Sequence, residues 1–118
     1  MAHHHAEVPE EFAGLANPVS ADEASLARGE EIYTTYCAVC HGESGMGDGH
    51  GAANLDPAPA ALAQMTRMSD DDYLYWRISK GGSHEPFNSA MPAWESVLDE
   101  TSRWDVINYI RALSGSDD

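Results

Sequence analysis

Apolar and small residues recur on one helical face at Leu26, Gly29, Tyr33 and Tyr36, spaced i, i+3, i+7 and i+10. Ser20 and Glu23 just ahead have capping-box spacing, so a first helix is predicted from near Ser20. Gly29 in the middle of that face costs about 1 kcal/mol against Ala, which points to close approach by another backbone. A second helix is predicted after Ser69. Asp70, Asp71 and Asp72 put negative charge on its first turn, Leu74 and Ile78 share a face, and Lys80-Gly81-Gly82 ends it. A last helix is predicted from about Asp99 to Ser114, where Val106, Tyr109, Ile110 and Leu113 form an i, i+3, i+4, i+7 stripe before Gly115.

Between these elements the pattern breaks. Residues 41–51 hold five of the ten glycines and are predicted to be loop, as are residues 81–92. Residues 52–68, with Pro57 and Pro59, give no clear helix, and no alternating strand pattern is present. Residues 1–19 are acidic and interrupted by Pro9, Gly14 and Pro18, which predicts an extended N-terminal arm. The expected organisation is therefore an arm over 1–19, one all-α domain over 20–114, and a tail over 115–118. Met1-Ala2-His3-His4-His5 reads as a tag or trimmed end, so an export signal is expected to be missing.

Cys37-Ala38-Val39-Cys40-His41 closes the first helix and carries the chemistry. Two thiols three residues apart, followed at once by an imidazole, form the C-x-x-C-H attachment pattern of c-type haem. The sulfurs can form thioethers with two vinyl groups while the next side chain offers a nitrogen to iron. A zinc site needs about four ligands and only one cysteine pair exists; a thioredoxin-like pair needs a βαβ setting. A 118-residue chain that is 42% hydrophobic also has room for a large apolar group in its core.

Five methionines compete as a second ligand: Met1, Met46, Met65, Met68 and Met91. Pro92 stiffens the backbone beside Met91, whereas Met46 lies close to His41 and Met65 and Met68 fit a core. His84 and His50 are the spare imidazoles, His84 the better of the two.

The chain resembles the class I c-type cytochromes, the soluble monohaem cytochromes c, over residues 21–114. The resemblance rests on Arg28-Gly29-Glu30-Glu31-Ile32-Tyr33, Cys37 to Gly42, Ser89-Ala90-Met91-Pro92-Ala93-Trp94, and Val106-Ile107-Asn108-Tyr109-Ile110-Arg111. It implies three main helices and long loops around one covalent haem c, the first helix crossing the last with Gly29 against Tyr109. It further implies attachment at Cys37 and Cys40, and iron held by His41 and Met91. A proline carbonyl after the motif, from Pro57 or Pro59, would accept from the His41 ring. Arg67, Trp76, Arg77 and Trp94 are available donors for the haem carboxylates.

With His and Met both bound the iron has no open position, and a thioether favours Fe(II) and raises the potential. The expected function is single-electron carriage between respiratory partners, a donor dehydrogenase or reductase and an acceptor oxidase or reductase, with no catalysis of its own. The alternative is a haem subunit or domain of a dehydrogenase or reductase complex. Covalent haem needs an assembly system on the oxidising side of a membrane, so the expected location is a bacterial periplasm; the expected state is a monomer. Its net charge of −14, with twenty acidic residues against five Arg and Lys80, excludes nucleic acid and disfavours anionic membranes. A partner recognised electrostatically must offer a cationic face, or else the surface serves solvation in salt.

Overall fold

The computed structural model describes residues 8–84 and 87–114, and within them it is helical with no strands. The helices are α1 (Glu23–Ile32), α2 (Ala38–His41), α3 (Leu62–Met65), α4 (Asp71–Lys80) and α5 (Glu100–Leu113). A π-turn over Tyr33–Cys37 joins α1 to α2, so the chain stays helical up to His41. The Ala38 amide closes that turn on the Tyr33 carbonyl, five residues back. Such bulges are common where a helix re-aims side chains for function.

The three long helices stand where the periodicity predicts, with one shift at the start. Helix α1 begins at Glu23 rather than near Ser20, because Asp22 is the cap and its carboxylate accepts from Ser25 N at 2.9 Å. An extended cap residue with a side-chain acceptor satisfies an amide that the first turn leaves open. Asp99 caps α5 in the same way, accepting from Ser102 N at 2.8 Å.

Helices α1 and α5 cross at Gly29. A Cβ there would overlap the Asp105 carbonyl and stand 2.9 Å from Tyr109 Cβ, so only glycine lets the backbones approach this closely. Beside the crossing, Ser25 Oγ donates to buried Asp105 at 2.6 Å and Arg28 grips the same carboxylate through Nε at 2.8 Å. Tyr33, Val106, Ile107 and Ile110 are buried around this point. Helix α4 adds Tyr73, Leu74, Tyr75 and Trp76, with Tyr75 stacked on Trp104 at 4.0 Å between ring centroids.

The described part of the expected arm, residues 8–19, has no regular helix and lies as a strap on α4 and α5. Phe12 is buried against Tyr75. Gly14 N donates to Asp72 and Asn17 N to Asp71, while Asn17 Nδ2 reaches Asn108 at 2.9 Å. Residues 1–7, with the histidine run, and the tail 115–118 lie outside the described residues.

Candidate functional site

The first helical run delivers three polar side chains to one place. Cys37, Cys40 and His41 leave the π-turn and α2 into a cleft of about 1190 Å³, part of it open to solvent. Leu55, Pro57, Ala60, Leu62 and Met65 line it from the middle of the chain; Leu74 and Ile78 come from α4 and Ile110 from α5. Phe87, Met91, Pro92 and Trp94 complete the walls. A cleft this apolar, with a few polar groups converging on it, is the usual form of a cofactor site.

The glycine-rich loop holds the motif by backbone bonds. Gly47 N donates to His41 O at 2.8 Å and Gly49 N to Cys40 O at 3.1 Å. Tyr33 Oη donates to Gly42 O at 2.6 Å from beneath. His41 Nδ1 lies 3.0 Å from Ala60 O, and because a carbonyl can only accept, Nδ1 carries the proton. Nε2 then keeps its lone pair for a ligand. Burial holds the imidazole pKa below its ordinary value against the Ala60 bond, which raises it, and Arg77 adds to the lowering, so the neutral form able to bind a metal is favoured. The acceptor is thus the carbonyl of Ala60 rather than that of Pro57 or Pro59. Pro59 O faces Gly47 instead, 2.7 Å from where a Cβ would stand.

The thiols are a poor match for a redox pair. Burial, with Cys40 adding to it, pushes the Cys37 thiol up to about 12, whereas a reactive C-x-x-C needs a stabilised thiolate.

Met91 is presented by a clip. Gly82 N donates to Met91 O at 3.0 Å, and Ser89 N to Gly82 O at 2.6 Å. Gly81 makes the turn possible with φ +70 and ψ −156, a region essentially restricted to glycine. A Cβ on it would also stand 2.5 Å from Pro92 O and 2.6 Å from Met91 O.

Of the five methionines, Met65 and Met91 line the cleft. Met46 and Met68 are exposed, and Met1 lies outside the described residues. His50 and His84 are not part of the lining. His84 packs against Trp76 and Phe87, with Nε2 3.2 Å from Gly81 O. Among the four candidate carboxylate donors, Arg77 and Trp94 line the cleft. Trp76 is buried core, and Arg67 donates to Ser114 O at 2.6 Å. Sequence reasoning missed Tyr36, whose place three residues after Tyr33 marked its face, and Phe87, which carries no signal in a loop. The Ala60 carbonyl, being backbone, was invisible to side-chain reading.

Comparison with known proteins points the same way as the geometry. The family model described as "Cytochrome C oxidase, cbb3-type, subunit III" matches residues 24–110. The chain is 27% identical over 105 residues to the cbb3-type cytochrome c oxidase subunit CcoP of Azospirillum brasilense, covering 89% of this chain and 34% of that protein. It is 33% identical over 88 residues to the cytochrome c subunit of the quinone alcohol dehydrogenase of Gluconobacter oxydans, covering 70% of this chain and 17% of that protein. It thus spans about a third or less of these relatives' lengths. The crystal structure of cytochrome cL from Methylophaga aminisulfidivorans superposes with a TM-score of 0.62 at 20% identity, over 91% of this chain and 65% of that one, which shows the fold.

Proposed function

Since this chain belongs to the c-type cytochrome family matched by the cbb3-type oxidase subunit III model, we propose that Cys37 and Cys40 attach its haem c and that His41 and Met91 hold the iron. The observation that carries the reading is one cleft lined by both thiols, by His41 with its Nδ1 proton on Ala60 O, and by Met91. The donor set fits the group: two thiols for thioethers, one neutral imidazole nitrogen, one thioether sulfur, and apolar walls. When bound, the haem supplies one-electron exchange between the ferrous and ferric states of its iron. His41 is oriented for this by its bond to Ala60, which fixes tautomer and ring. Leu74, Ile78 and Ile110 keep water away, which disfavours the additional positive charge of the oxidised state. Met91, held by the clip, would hold the iron together with His41 and so would keep oxygen and substrate from it.

The chain is accordingly a single-electron carrier, not a catalyst by itself. It works as a monomer between a donor dehydrogenase or reductase and an acceptor oxidase or reductase, on the periplasmic side of a bacterial membrane. No helix among the described residues is long and apolar enough to cross a membrane. With a net charge of −14, encounter is steered by a cationic face on the partner, over a range that physiological salt limits to about 8 Å.

Acidified-acetone extraction of the denatured protein tests the attachment. Haem should remain on the polypeptide, and a colourless protein would reject the reading. A second reading, a haem subunit or domain of a dehydrogenase or reductase complex, is favoured by the similarity to proteins described as oxidase and dehydrogenase subunits; stoichiometric co-purification with a larger redox subunit from the native source would establish it.

A further inference from the structure

Tyr36 and Trp94 come to the cleft from distant parts of the chain and meet there. Tyr36 stands in the π-turn immediately before Cys37, and Trp94 opens a short turn three residues after Met91. Their ring centroids lie 5.1 Å apart with the planes tilted by 56°. That is a geometry in which aromatic pairs attract beyond the area they bury. Both residues line the cleft and both are half-buried.

Each ring is carried on a held backbone. The Tyr36 segment is part of the continuous helical run from α1 to α2. The Trp94 carbonyl accepts from Val97 N at 3.0 Å and from Leu98 N at 2.8 Å, and Leu98 is buried. Between Met91 and Trp94 stand only Pro92, whose ring fixes its φ, and Ala93. Three residue steps span at most about 11 Å, so a displacement of Trp94 reaches Met91 with little slack to absorb it.

The other ties of this stretch go elsewhere. The clip joins Met91 O to Gly82 N at the end of α4, and Lys80 on α4 holds Glu95 at 2.8 Å. Neither bond reaches the run that carries Cys37, Cys40 and His41. The two proposed iron ligands therefore sit on different walls of the cleft, and both can hold one iron only while the walls keep their separation. The Tyr36–Trp94 contact joins those walls directly.

Resting on the haem reading above, we infer that Tyr36 and Trp94 are positioning residues: their ring contact staples the Met91 stretch to the helical run that carries Cys37 and His41, and so sets how often the Met91 sulfur leaves the iron. Without the staple the clip still holds the Met91 backbone to α4, but the sulfur is less firmly placed against the wall that carries His41. A loosened thioether favours the ferrous state less, so the potential falls as the ligand is freed.

The test uses the haem-loaded, reduced protein and reads the rate at which carbon monoxide binds. Trp94→Ala and Tyr36→Ala should each speed binding about fivefold, the scale of one aromatic pair. The double variant should be no faster than the faster single one, because the two residues share one contact. Trp94→Phe keeps a ring without the indole N–H and should recover most of the wild-type rate. An unchanged rate in W94A, effects that multiply in the double variant, or W94F as fast as W94A would each overturn the staple. A contact that serves only the fold would lower the denaturant midpoint of W94A and leave its potential and carbon monoxide rate at the wild-type values, which also rejects it. Where W94A yields no folded protein, Trp94→Leu carries the same comparison. Met91→Ala gives the rate for an open position. A wild type already that fast rejects Met91 as the ligand, whereas a slow wild type with a silent W94A rejects only the staple.

Discussion

Two glycines hold the molecule together in different ways, Gly29 at the crossing of α1 and α5 and Gly81 in the clip behind Met91. Around Gly29 everything is closed: Val106 and Ile107 are fully buried, and Asp105 has Ser25 and Arg28 on its carboxylate. Gly81 and Gly82 are buried too, but the stretch they hold lies nearer the surface. Met91 and Trp94 are half-buried, and Ala90, Pro92 and Ala93 are exposed. The crossing has many partners for each group and tolerates no change of shape. The clip has a few backbone bonds and one special conformation, and it holds the stretch that carries Met91 by its main chain. On the proposed assignment of Met91, the difference separates what keeps the chain folded from what would set the chemistry of the iron.

Gly29→Val should have the largest effect. Its branched side chain would be driven into the Asp105 carbonyl and Tyr109, and overpacking of this kind costs about 3 kcal/mol or more. Denaturant unfolding of the haem-loaded protein should show that loss. The absorption spectrum of whatever remains folded should stay that of the wild type, and a changed iron spectrum would erase the distinction between the two regions. Gly81→Ala should cost less, about 2 kcal/mol from its backbone conformation and the contact with Pro92. Here the spectrum should change as well, because the clip and Met91 share the same backbone.

The sequence was most readable where a physical period repeats. Helices α1, α4 and α5 run for ten, ten and fourteen residues, long enough for their faces and caps to show. The close approach at Gly29 was legible because a glycine in a helical face has few other reasons to be there. Cys37, Cys40 and His41 stand out as a motif and Met91 by the Pro92 beside it, and the structure brings all four to one cleft. Helix α3, four residues after two prolines, is too short for a period to emerge. Phe12 looked like part of an arm because a single aromatic residue between prolines carries no pattern, yet it fills a gap against Tyr75. Arg67 and Arg77 looked equivalent; only packing shows that one faces Ser114 and the other the cleft.

Met91→Leu sharpens the comparison from the other side. The swap nearly conserves volume, so stability should change by less than about 1.5 kcal/mol from packing. The sulfur is gone, however, and the potential should fall while carbon monoxide binds the reduced protein. Potentiometry and gas binding on one sample check both. If Met91→Leu keeps the wild-type spectrum while His84→Ala alters it, the iron is held by the imidazole rather than the sulfur.

The smallest effect is expected at the junction of the two regions, where Asp99 ends the Met91-bearing stretch and caps α5. Its carboxylate accepts from Ser102 N, and that bond is the main cause of a pKa held below the ordinary aspartate value. A folded-state pKa lower than the unfolded one means that the charged form is favoured by folding. The contribution is therefore present above the unfolded pKa, about 3.9, and is lost as pH falls through the lower folded value. Asp99→Ala should lower the thermal midpoint at pH 7 by a small amount, and wild type and variant should converge as the pH is taken below 4. The side chain is exposed, so salt will weaken the effect further. The potential should not move, because the cap belongs to the scaffold and not to the clip. A shift in potential with Asp99→Ala would mean that the α5 terminus helps to place Met91, and the boundary between the regions would then have to be drawn one turn further into α5.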